Sequence, residues 1–129
     1  MPVLARNKKA FHDYFIEDKL EAGIELVGTE VKSVKAGKVS IKESFIRIIR
    51  DEIFVMNMHI TPYEFGNINN VAESRVRKLL LNRREIKKWG EKIKEQGYTI
   101  VPISVYTKQR LVKMEIGLAK GKKMHDKRE

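Results

Sequence analysis

Four stretches of the chain alternate apolar and polar residues with a period of two. In IFVMNMHI, Phe54, Met56, Met58 and Ile60 share one face, and Val55, Asn57 and His59 share the other. That period predicts a strand with one buried face. SFIRIIR precedes it, and the intervening RDE suits a tight turn, so the two form an expected hairpin. Farther on, IVPISVY places Val101, Ile103 and Val105 together, and LVKMEIGLA places Val112, Met114, Ile116 and Leu118 opposite Lys113 and Glu115. TKQR between them predicts a second hairpin. Pro102 lacks a ladder donor, so an edge or a bulge is expected there.

Other segments carry different periods. HDYFIED and AGIELVG read as two short strands, and TEVKSVKAGK as a short helix with Val31 and Val34 on one side and Gly37 as its stop. The clearest helix begins near Arg83: Asn82 suits the N-cap, Glu85 stands three residues later, and Gly97 closes the segment. Ile86, Trp89 and Ile93 form its apolar stripe, which places Trp89 in the core. SRVRKLLLN, just before, reads as a strand running into that cap. TPYEFGNINNVAE, residues 61–73, has no period and reads as an exposed loop. After Ala119 the apolar pattern stops.

The succession of elements predicts a mainly β protein with embedded helices (α+β). The expected form is an OB-like antiparallel β-barrel of about six strands plus two or three helices, a fold that commonly presents a face to oligonucleotides. The domain is expected over residues 1–119, with 120–129 starting a basic tail.

Composition narrows the function. The 129 residues hold no cysteine and only three histidines, which excludes disulfides and makes a structural zinc site a poor fit. No apolar run approaches the roughly 20 residues of a membrane span, and the N-terminus lacks a signal-peptide pattern, so a cytoplasmic protein is expected. The net charge of +10 is unevenly placed: residues 1–70 hold 10 Lys/Arg and 10 Asp/Glu, while residues 71–129 hold 17 and 7. A basic half on a neutral scaffold is the footprint of a polyanion-binding surface.

Catalytic patterns are weak. There is no nucleophile elbow, phosphate-binding glycine loop or HExxH metal motif. His12 and Asp13 are adjacent, so on a strand they would point to opposite faces. His59 has no nearby acid in sequence and reads as a surface residue. No paired acid and base is visible, so the protein is not expected to be an enzyme, and neither metal nor cofactor is implied.

Nucleic-acid binding fits better. Arg83, Arg84, Lys87, Lys88, Lys92 and Lys94 on the helix, with the basic tail, suit phosphates. Stacking on unpaired bases would need planar groups, for which His12, Tyr14, Tyr63, Phe65, Tyr106 and His125 are the candidates. Tyr14 and Tyr106 equally suit the barrel itself. Glu21 is unusual for a polyanion binder: it reads either as a surface glutamate or as an acceptor for base amino groups.

HDYFIEDKLEAGIEL, GTEVKSVKAGK, RKLLLNRREI and IGLAKGKKMHDKR together resemble the small protein B (SmpB) family, the binding partner of transfer-messenger RNA. The resemblance runs from about Asn7 to Arg128. It implies an OB-like barrel with embedded helices that binds the tRNA-like domain of transfer-messenger RNA. Together with alanyl-charged RNA and elongation factor Tu, such a protein enters stalled bacterial ribosomes for trans-translation, which tags the peptide and rescues the ribosome. The family has no catalytic activity in this process.

Carried over by motif, the RNA-binding glutamate falls on Glu21, the leucine and asparagine of KLLLN on Leu80 and Asn82, and a histidine on His12. Residues 80 and 82 would point the same way on a strand. The tail motif falls on Lys122, Lys123, His125, Asp126, Lys127 and Arg128. The resemblance gives these residues to the decoding centre of the small ribosomal subunit. Family members usually continue further with basic residues, so a shortened tail is expected here. A monomer without a membrane partner is expected. A general single-stranded RNA-binding or ribosome-associated OB-fold protein is the alternative.

Overall fold

The computed structural model describes residues 3–63 and 72–122. Its elements are β1 (Val3–Arg6), α1 (Ala10–Asp13), β2 (Tyr14–Ile24), α2 (Gly28–Lys35), β3 (Val39–Ser40), β4 (Phe45–Ile49), β5 (Glu52–Met56), β6 (His59–Ile60), β7 (Arg77–Leu80), α3 (Arg83–Gln96), β8 (Thr99–Lys108) and β9 (Leu111–Gly121). The mainly β architecture with embedded helices is as expected. Seven strands form an antiparallel sheet in the order β1-β8-β9-β2-β7-β5-β4, and β3 pairs with β6 separately.

The expected barrel is not closed. The seven-stranded sheet is open, with β1 and β4 at its edges. β4 comes within 8 Å of β8 between Cα atoms, yet no ladder joins them. The second edge of β8 is taken by β1 over Ser104–Tyr106, and β8 is irregular beyond that stretch. Pro102 has no N–H to donate, and the register with β9 slips between Pro102 and Ser104. The neighbouring carbonyls are already used: Asn7 donates from its side chain to Pro102 O at 2.9 Å and from its backbone to Ile103 O at 2.9 Å.

Both hairpins form where expected. Arg50 and Asp51 join β4 to β5, and Gln109 and Arg110 join β8 to β9, all four at positive φ. Paired positive-φ residues match the twist of the flanking strands. The two short strands expected near the start are one strand, β2, with a register shift between Ile16 and Asp18. IFVMNMHI is divided in the opposite sense. Asn57, at φ 60°, separates β5 from β6. Before that break Ile53 and Val55 are buried; after it Met58 and Ile60 are. The break shifts the parity, so Phe54 and Met56 do not share the buried face with Met58 and Ile60.

The core lies between the inner face of the sheet and helices α2 and α3. Val105, Val112, Met114, Ile116 and Leu118 meet Val34, Ile86 and Trp89 there. α3 has the predicted ends: the Asn82 side chain accepts from Glu85 N at 2.9 Å, and Gly97 N donates to Ile93 O from a left-handed residue at φ 73°. Trp89 is 1% exposed and donates its indole N–H to Asp18 at 3.2 Å.

One feature of the interior was not legible in the chain: a buried ionic cluster. Arg77 and Glu30 are 1% and 4% exposed. Glu30 accepts from Arg77 Nε at 2.8 Å, from Arg75 Nη2 at 2.6 Å and from Val27 N at 3.0 Å. Arg77 also donates to Met58 O and Glu73 O. α2, β6 and the approach to β7 are thereby tied together.

Candidate nucleic-acid interface

From Lys19 onward β2 alternates cleanly: Leu20, Ala22 and Ile24 face the core, leaving Lys19, Glu21 and Gly23 on the outer face. Cross-strand pairing extends that face sideways. Tyr106 pairs with Lys113, Lys113 with Gly23, and Gly23 with Leu80, a row across β8, β9, β2 and β7. The adjacent row pairs Ser104 with Glu115 and Glu115 with Glu21. Two residues far apart in the chain, Glu21 and Leu80, thus become neighbours on one surface.

Gly23 shapes this surface. A Cβ there would sit 3.3 Å from Leu80 Cβ and 3.4 Å from its Cδ1. The bare backbone leaves the Leu80 side chain room to lie across the sheet while staying 48% exposed. An exposed apolar side chain beside a carboxylate suits a base or ribose better than a phosphate.

Glu21 is held in place as an ionised acceptor. It faces Glu115 directly, an unfavourable pairing on its own. Tyr106 donates its hydroxyl to Glu21 Oε2 at 2.6 Å, and Lys108 Nζ lies 3.4 Å from Oε1. The Tyr106 hydrogen bond holds the Glu21 carboxyl below its ordinary value, with Lys108 and Lys113 assisting and burial opposing. Burial, and then the bond to Glu21, push the Tyr106 hydroxyl upward. Tyr106 is itself 7% exposed, so it braces Glu21 and offers no stacking surface.

Asn82 stands two residues beyond Leu80, exposed at the head of α3. Its Oδ1 serves the cap, which leaves the two Nδ2 donors unused by that bond. Cap and contact roles are therefore compatible in one side chain. His12 stands apart on α1. Contrary to the strand-based expectation, it meets Asp13, with Nδ1 2.8 Å from Oδ1. The segment is a helical turn, where adjacent side chains are not opposed.

A model of the family described as SmpB protein matches residues 4–129. The chain belongs to the SmpB family. The SsrA-binding protein of Fusobacterium nucleatum subsp. nucleatum is 65% identical over 127 residues, covering 98% of this chain and 86% of the relative. That of Caldanaerobacter subterraneus subsp. tengcongensis is 58% identical, covering 98% and 80%. A solved structure described as "tmRNA-SmpB: a journey to the center of the bacterial ribosome" superposes with a TM-score of 0.78 at 46% identity, covering 99% of this chain and 90% of its own.

Lys108 and Lys113 share this surface with Glu21, and α3 packs against the opposite, inner face of the sheet. Arg83, Arg84, Lys87, Lys88 and Lys94 are exposed on α3, whereas Lys92 is paired with Glu17 at 3.0 Å. Among the other aromatic candidates, Tyr14 is partly buried against Ala10, Val101 and Ala119, and Tyr63 lies under Lys32 Nζ at 5.4 Å. His59 meets Ser74 at 2.6 Å, with Glu73 3.8 Å away. No group of three or more His, Cys, Asp or Glu suited to a metal occurs among the described residues. No helix among them is long and apolar enough to cross a membrane.

The last strand runs past Ala119. β9 continues to Gly121, which pairs with Tyr14, and Lys122 N donates to Asp13 O at 2.9 Å. Lys123, His125, Asp126, Lys127 and Arg128 lie outside the described residues, as does Phe65. Sequence reasoning missed Gly23, Lys108 and Lys113 as parts of the patch and read Tyr106 without its partner. Gly23 did carry a signal, since a glycine inside a strand marks a close approach. The others are joined only through cross-strand register.

Proposed function

We propose that this protein binds the tRNA-like domain of transfer-messenger RNA and delivers it to stalled ribosomes for trans-translation. The single observation that carries the residue assignment is the Glu21–Gly23–Leu80 surface. It combines a braced carboxylate acceptor and an exposed apolar side chain, with the Asn82 donors two residues beyond Leu80 in the chain. These groups suit base edges and ribose, and Lys108 and Lys113 beside them suit phosphates. His12 extends the contact from α1. Lys122 and the residues that follow, Lys123, His125, Asp126, Lys127 and Arg128, form the start of an arm for the decoding centre. The protein acts in the cytoplasm as a non-catalytic adaptor, alongside elongation factor Tu and alanyl-charged RNA.

The family relationship supports the partner, because the relatives are SsrA-binding proteins and the superposed structure is described as a tmRNA-SmpB complex in the ribosome. The test is affinity for the isolated tRNA-like domain against an unrelated folded RNA at one fixed salt concentration. Wild-type protein should prefer the former, and Glu21→Ala and Asn82→Ala should each weaken it at least about fivefold, the scale of one lost base contact. Wild-type affinity in both variants would remove the patch from the interface, and equal affinity for the two RNAs would favour a general RNA binder.

A further inference from the structure

Two adjoining clefts follow the open edges of the sheet. The larger, about 700 Å³, lies between β4 and the start of β8, with Gly90 and Ile93 of α3 in its wall. The smaller, about 420 Å³, lies between β1 and β3, whose Cα atoms approach within 8 Å without a ladder. Asn7, Lys9 and Lys42 line both, so the two form one trough. Its wall is apolar at Ile41, Ile46, Ile100 and Val101. The charged residues lining it are Arg6, Lys8, Lys9, Lys42 and Arg47 against one acid, Asp13, which already meets His12. None of these five cations is ion-paired among the described residues, whereas Lys78, Lys92, Lys108, Arg75 and Arg77 each hold a carboxylate.

The strand edge in the larger cleft is open. Arg50 and Asp51 form a two-residue loop at positive φ, which makes Ile49 and Glu52 the first hydrogen-bonded pair of the hairpin. Hydrogen-bonded pairs alternate along an antiparallel ladder. Arg47 and Phe45 therefore also spend their main-chain groups on β5, while Ile46 and Ile48 turn theirs to the edge where β4 has no neighbouring strand. These groups recur at every second residue, the repeat of an extended polypeptide.

A nucleic acid fits the trough poorly, because stacking needs open ring faces. Tyr14 is partly buried against Ala10, Val101 and Ala119, and the Phe45 ring has the Arg47 guanidinium 5.3 Å from its centroid. A second copy of this edge would add its own Arg47 to the same face, like charge on like charge. A strand that alternates acidic and apolar side chains meets every feature. Its main chain pairs with β4, its apolar side chains turn the same way as Ile46 and Ile48, and its carboxylates turn the same way as Arg47.

We propose that the trough is a docking site for an extended polypeptide segment of alternating acidic and apolar residues, added as a strand to the free edge of β4. β4 stands two strands away from β7 and Leu80, so a protein partner held there leaves the Glu21–Gly23–Leu80 surface open. The proposal does not depend on the RNA reading.

The test uses the full chain with two synthetic peptides at one salt concentration, one alternating glutamate and valine, the other lysine and valine. The glutamate–valine peptide should bind more tightly. At saturation it should slow amide hydrogen exchange at Ile46 and Ile48 and leave Arg47, already in the β5 ladder, unchanged. Lys42→Glu combined with Arg47→Glu should weaken that peptide about tenfold, the scale of two exposed ion pairs. Both side chains are exposed, so the fold tolerates the change. Two reversals remove four of the ten excess positive charges, so attraction to net charge alone would leave the preference in place. No binding of the glutamate–valine peptide, equal affinity for the two peptides, unslowed exchange at Ile46 and Ile48, or an unchanged double variant would each overturn the proposal. Displacement of the peptide by the tRNA-like domain would give the trough to RNA, and the same protection rising with protein concentration without peptide would give it to a second copy; either result overturns it too. Failure of the wild type to bind the tRNA-like domain would strike at the functional reading alone, and the peptides would still decide the trough.

Discussion

Glu30→Gln should destabilise the protein severely while leaving its outline intact. The amide keeps the shape of the carboxylate but removes its charge. In the wild type that charge faces Arg77, whose side chain is fully buried, and Arg75, whose side chain is 30% exposed. Arg75 can recover water when its partner is lost; Arg77 cannot. The remaining acceptors of Arg77 are neutral carbonyls of Met58, Glu73 and Arg75. The loss is therefore that of one uncompensated buried charge, about 3–5 kcal/mol, against a total stability of about 5–15 kcal/mol.

Urea denaturation followed by Trp89 fluorescence measures this loss. Acid dependence supplies an independent reading. Burial pushes the Glu30 carboxyl up, but hydrogen bonds from Arg75, Arg77 and Val27 outweigh it, and the folded value lies below the ordinary one. Stability from this group is thus present above the unfolded-state value and lost as pH falls through the folded one. That part of the acid dependence should vanish in Glu30→Gln. Replacing both partners, Glu30→Leu with Arg77→Met, should recover part of the loss, since no charge is left buried. A loss below about 1 kcal/mol for Glu30→Gln, the scale of an exposed pair, would refute the argument that the cluster is desolvated.

Two further variants separate positioning from contact. Asn82→Asp keeps the cap oxygen on Glu85 N but replaces the Nδ2 donors with a negative charge, so thermal stability should hold while affinity for the tRNA-like domain falls; Asn82→Ala should lose both, with about 1 kcal/mol of stability. Tyr106→Phe removes the hydroxyl that lowers the Glu21 carboxyl, whose folded value should climb back towards the ordinary one. RNA binding by that variant should begin to weaken at a higher pH than in the wild type as the solution is acidified, and identical pH profiles would deny Glu21 its role as an ionised acceptor.

Much of this molecule is written in local sequence. The α3 limits follow from Asn82 and Gly97, the two hairpins from short polar turns between alternating runs, and the bulge at Pro102 from a missing N–H. Those features depend on neighbours within a few residues, so a linear reading finds them. The parity break at Asn57 depends on one backbone torsion, and periodicity alone carries it past unnoticed. The bonds from Asn7 to carbonyls 95 and 96 residues away along the chain exist only in the assembled fold.

The candidate site divides in the same way. Family motifs single out Glu21, Leu80, Asn82 and His12 as residues, but motifs contain no distances. Register places Glu21 and Leu80 on adjacent rows of one face, Gly23 clears the space between them, and Tyr106, 85 residues from Glu21, fixes the carboxylate. The burial of Arg77 against Glu30 is equally invisible in SRVRKLLLN, where an arginine reads as solvent-facing. Residue type and short-range pattern determine which elements form and which chemistry is available. Which side chains meet is decided by strand pairing between distant segments, because hydrogen-bond register and desolvation exist only once the sheet is assembled.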